Sequence, residues 1–102
     1  MQPDIKLIMR HLMAQESGVT EATVWIEKPL NSGLQLEAQL IVHGKPKYVV
    51  VNNDEEFFAY TQSYKGKGRW NRMVVKMNDK GEVDTSVSFD VDFQKKVEEI
   101  TK

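Results

Sequence analysis

The sequence predicts an α+β domain: a mostly antiparallel five-stranded sheet with helices packed on one face, in the order α-β-β-β-α-β-β-α. Three observations carry this. Residues 69–92 form two runs of alternating apolar and polar side chains either side of Asn78-Asp79-Lys80-Gly81, the period of half-buried strands joined by a tight turn. Three more alternating stretches with short connections lie between residues 20 and 51, which favours an antiparallel meander. Apolar residues at helical spacing occupy the start, the middle and the end of the chain.

In chain order, Pro3 and Asp4 suit a first helical turn. Ile5, Ile8, Met9 and Leu12 mark one apolar face, and Gly18 fits a carboxy-terminal cap, so the first helix is predicted over 3–16. Thr20, Ala22, Val24 and Ile26 then alternate with Glu21, Thr23, Trp25 and Glu27. Residues 28–33 read as a loop, followed by a strand in which Leu34, Leu36, Ala38, Leu40 and Val42 share a face. His43-Gly44-Lys45-Pro46 reads as a turn and Tyr48 to Val51 as a third strand. Asn53 and Glu56 have the spacing of a capping box. Phe57, Tyr60, Thr61 and Tyr64 follow at helical spacing, so a helix is predicted over 54–65, ended by Gly66 and Gly68. In the hairpin, Asn71, Met73, Val75 and Met77 face one way and Trp70, Arg72, Val74 and Lys76 the other. Its second run sets Val83, Thr85, Val87, Phe89 and Val91 against Asp84, Ser86, Ser88 and Asp90. Asp92 suits the cap of a last helix carrying Phe93, Val97 and Ile100 on one side.

A chain of 102 residues, 40% apolar and 28% charged, is expected to be one domain, 1–102, with a modest core. Its net charge of −1 provides no global field toward nucleic acid or a membrane. With no cysteine, disulfides, thiolate catalysis and thiolate metal sites are excluded. The opening MQPDIKLIMRHLM lacks the basic segment and long apolar run of a signal peptide, so a cytoplasmic protein is expected. His11 and His43 have nothing at metal-ligand spacing around them, and no stretch carries a complete catalytic motif. The expectation is a non-enzyme with neither cofactor nor metal.

Two surface features remain. Residues 63–80 hold six cations, including Lys67, Arg69 and Arg72, against one carboxylate, with Trp70 beside them. Phosphate contacts and an aromatic platform are the means of single-stranded nucleic-acid binding. That makes a small nucleic-acid-associated domain using the Lys65–Arg72 loop the alternative reading, although no phosphate-loop signature is present and the rest of the chain is net acidic. Alternatively Trp25 and Trp70, on the polar side of their strands, are anchors for a protein partner, with Arg72, Asp84 and Asp90 supplying selectivity.

The Glu21-x-x-x-Trp25 run, the Asn53/Asp54 helix start with Phe57 and Phe58, and the Arg69-Trp70-Asn71-Arg72-Met73-Val74-Val75 segment form a pattern. It continues through Asp79-Lys80-Gly81-Glu82 into Phe89-Asp90-Val91-Asp92. In this the chain resembles the YezG-like immunity proteins, antitoxins that neutralise nuclease toxins. The resemblance implies a protein-binding domain that occludes a toxin. Its binding residues are expected to be Trp70, Arg72, Arg69, Asp84, Asp90, Trp25 and Lys67. Pairing through an exposed strand would give a homodimer, which the sequence leaves open.

Overall fold

The computed structural model describes residues 4–28, 34–64 and 70–100. Helix α1 (Ile5–Met13) precedes the meander β1 (Val19–Glu27), β2 (Gln35–Val42) and β3 (Lys45–Val49). Helix α2 (Asp54–Ser63), the hairpin β4 (Arg72–Met77) and β5 (Val83–Ser88), and helix α3 (Val91–Ile100) complete the predicted order. The five strands form one antiparallel sheet in the spatial order β3-β2-β1-β4-β5. The connection through α2 therefore passes β2 and β1 and lays β4 against the free side of β1.

Side-chain alternation decides the two faces. Ala22, Val24, Ile26, Ala38, Leu40, Met73, Val75 and Met77 point one way and are buried under Ile8, Met9 and Leu12 of α1 and Phe57 of α2. Apolar burial of this kind supplies about 25 cal/mol per Å² removed from water, the main source of stability for a small domain. The hairpin has the predicted faces: Asn71, Met73, Val75 and Met77 are all buried, and Val83, Thr85 and Val87 lie beside them in register. Its turn is closed by Asn78, whose Oδ1 accepts from the Lys80 and Glu82 amides at 3.0 and 2.9 Å, with Gly81 at φ +80°.

Several predicted boundaries move. Helix α1 starts one residue after Asp4, whose carboxylate accepts from the Lys6 amide at 3.0 Å, and stops at Met13. Gly18, at φ +74°, is therefore not its cap but the bend into β1. Strand β3 starts at Lys45 rather than Tyr48, because the turn needs only His43 and Gly44, both at positive φ. Pro46 lies within it, which an edge strand tolerates because a missing N–H can face away from the ladder. Asn53 does not cap α2 through its side-chain oxygen. Its Nδ2 instead donates to the Ile8 carbonyl at 3.1 Å and to Glu56 Oε1 at 3.2 Å, tying α2 to α1. Finally, α3 begins at Val91, so Val91 is no strand residue, and its cap is Asp90 rather than Asp92: Asp90 Oδ1 accepts from the Phe93 amide at 2.9 Å. The side chain of Val97 and the glycines Gly66 and Gly68 lie outside the description. No helix among the described residues is long and apolar enough to cross a membrane.

Candidate functional site

Since α1 and α2 lie on one side of the sheet, the odd-numbered residues of β1 and β2 and the even-numbered residues of β4 and β5 form the opposite face, which neither of these helices covers. Trp25 occupies the middle strand. The register sets Glu37 of β2 on one side of it and Val74 of β4 on the other. Tyr48 reaches in from β3, its ring centroid 6.4 Å from that of Trp25 with the planes tilted by 31°. A shallow cavity of about 380 Å³ lies over this pair, walled by Glu27, Glu37, Arg72, Val74 and Ser88. Trp25 is half-buried and Tyr48 is 71% exposed. An aromatic of this kind combines a large apolar surface with few rotatable bonds, the character of an interface anchor.

Charges of both signs frame the aromatics. Lys76 lies opposite Asp84 across β4 and β5, and Arg72 lies opposite Glu27 across β1 and β4. Arg72 also approaches Asp90 Oδ2 at 3.4 Å, and its guanidinium sits 4.8 Å from the ring centre of Phe93. Exposed pairs of this kind contribute little stability. What they set is a fixed pattern of positive and negative potential across this face.

Of the residues expected from the sequence, Trp25, Arg72 and Asp84 share this face. Asp90 is adjacent, but its carboxylate is committed to capping α3 and to Arg72. Trp70 is elsewhere. It precedes β4, so strand alternation does not govern it, and it packs against the core edge-on to Tyr64, with ring centroids 6.4 Å apart and Lys28 Nζ 5.6 Å from its ring. The expectation that Trp70 stands beside Arg72 as an exposed anchor is thus corrected: its partner is the end of α2. Lys67 and Arg69 lie outside the described residues.

Buried Asn71 separates the two tryptophans' surroundings. Its side chain forms two bonds of 2.8 Å with the backbone of Asp90, extending the sheet where the strand itself has ended. Neither Tyr48 nor Glu37 was among the binding residues expected from the sequence. Alternation places each on the outward face of its own strand, but only the register brings them to Trp25.

The histidines are separate from this face. His11 Nδ1 lies 2.9 Å from Glu56 Oε1 between α1 and α2, and the His43 ring covers Gly18. No protein-family model, curated protein or solved structure matches the chain.

Proposed function

We propose that the chain is a protein-binding domain of the immunity-protein kind, acting in the cytoplasm by covering the working surface of a toxin, a nuclease. The observation that carries this reading is the open sheet face, with the Trp25–Tyr48 pair at its centre and carboxylates and cations around it. The sequence resemblance to the YezG-like immunity proteins supports the class of partner. Trp25 replaces Trp70 as the anchor, and Arg72, Lys76 and Asp84 provide selectivity. Anchoring on a rigid strand keeps the ordering entropy of association small.

Co-expression with the toxin-like protein encoded beside this chain gives a stable complex and loss of nuclease activity. Trp25→Ala weakens that complex by about 30-fold, on the order of 2 kcal/mol for an anchor residue, whereas Trp70→Ala acts on folding stability. Isothermal titration with the purified partner separates the two. An adjacent gene product that neither binds nor is inhibited, or a Trp25→Ala variant that binds unchanged, defeats the proposal.

A further inference from the structure

Two carboxylates stand beside the Trp25–Tyr48 pair without a cation. The register sets Glu37 of β2 directly opposite Trp25, and Glu27 lies two residues further along β1 on the same face. Both line the cavity of about 380 Å³ over the aromatics. The cations nearest Glu27 in sequence and register are turned elsewhere. Lys28 Nζ lies 5.6 Å from the ring centre of Trp70. Arg72, opposite Glu27 across β1 and β4, is drawn to Asp90 at 3.4 Å and to the ring of Phe93, so its charge is balanced there. Among the described residues neither Glu27 nor Glu37 forms an ion pair. Opposite charges set across strands stabilise a sheet when they meet. Here the face commits its nearby cations to other groups and keeps a negative, aromatic hollow at its centre.

We propose that this hollow receives an arginine side chain of the partner protein, its guanidinium flat on the Trp25 ring and its N–H groups donated to Glu37 and Glu27. The inference rests on the reading of this face as a binding surface and names what the partner must present to it. An aromatic face attracts a cation through its quadrupole, and an indole does so best. The carboxylates decide which cation. Glu37 is reached across the strands, whereas Glu27 is reached along β1, roughly 6.6 Å beyond Trp25 at about 3.3 Å per residue. They therefore approach a group over the indole from directions at right angles. A planar guanidinium carries five N–H donors around its edge and can meet both while stacked. A lysine ammonium is a strongly hydrated point charge and cannot lie flat. Tyr48, its ring centre 6.4 Å from that of Trp25, adds a second aromatic wall. The net charge of −1 exerts little overall pull on cations, so a preference for arginine resides in the hollow.

The test is a titration of the full chain with a capped Gly-Arg-Gly peptide, followed by proton–nitrogen NMR. The Trp25 indole N–H and the amides of Glu27 and Glu37 shift along one saturating curve. The matching lysine peptide binds about fivefold more weakly, and the neutral citrulline peptide leaves the signals in place. Glu27→Gln or Glu37→Gln lowers the affinity for the arginine peptide about fivefold. Glu55→Gln, an exposed carboxylate of α2 outside the hollow, leaves it unchanged. Equal response to arginine and lysine, indifference to both substitutions in the hollow, or shifts that never saturate overturn the proposal. The toxin reading fails separately. An adjacent gene product held at full strength by the Glu27→Gln, Glu37→Gln double variant but not by Trp25→Ala keeps that reading and defeats this one. Saturable, arginine-selective binding by a chain that engages no adjacent gene product does the reverse.

Discussion

At the scale of residues, Asn71 is the polar group on which three elements meet. Its amide donates to Ser88, its carbonyl accepts from Lys28 at 2.8 Å, and its side chain pairs with Asp90, all without exposure to water. Asn71→Leu keeps the volume but leaves the Asp90 N–H without a partner, while the Asp90 C=O keeps the Gln94 amide at 3.1 Å. A buried group left unpaired costs about 1–3 kcal/mol. Urea denaturation therefore shows a loss of about 2 kcal/mol, and a loss below about 1 kcal/mol would contradict the role assigned to it. Gly18 is constrained twice. Its φ of +74° disfavours any side chain, and an added Cβ would run into the His43 ring. Gly18→Ala costs about 2 kcal/mol in the native background and about 1 kcal/mol beside His43→Ala, where only the backbone term remains. Equal costs in the two backgrounds would show that the ring contributes nothing. The burial of Asn71 was legible from alternation, since it shares the phase of Met73 and Val75. The position of Trp70 was not, because a periodic pattern carries no mark of where pairing begins.

At the scale of elements, α3 depends most on its cap. Val91 and Ile100 are 53% and 82% exposed, and the helix is fastened at its start by Asp90 to Phe93 and by Phe93 to Arg72. Replacing Asp90 with Ala removes the cap and the ion pair together, at about 1 kcal/mol for the cap. Hydrogen exchange then accelerates in residues 93–100 while β1 and β4 keep their protection. Uniform acceleration across the sheet would contradict that local role. The cap itself was misplaced in the sequence because Asp90 and Asp92 both precede the apolar positions of the helix. Only the course of the chain after Ser88 distinguishes them. The start of strand β3 was read three residues late for a related reason: Pro46 signals a turn wherever a strand is central, and whether a strand is central is a property of the assembled sheet.

At the scale of the whole molecule, the fold class and element order were legible because each element carries its own period. Of the two neighbours of β1, β2 was legible from the meander but β4 was not, since alternation reports faces and not strand order. The candidate site inherits that division: Trp25, Arg72 and Asp84 were readable as outward residues, while the approach of Tyr48 exists only once three strands are in register. Phe57 joins both helices' cover to the sheet, and it is fully buried. Phe57→Ala leaves a void there and costs about 3–5 kcal/mol, measured by thermal unfolding. A midpoint displaced by less than a few degrees would mean that the core closes over the gap.

The central placement of β1 has a consequence for how the protein is made. One side of β1 is satisfied early by β2, but on the other Trp25 waits for Val74, 49 positions later. Synthesis adds about 5–20 residues per second, so that second edge and the apolar face of Val24 and Ile26 stay open for several seconds in a nascent chain. A fragment ending at residue 64 freezes that stage. It self-associates into pelletable, thioflavin-binding aggregates, whereas adding the hairpin through residue 88 abolishes them. The hairpin thus serves the growing chain as an internal protector before it forms part of the proposed binding face of the finished one.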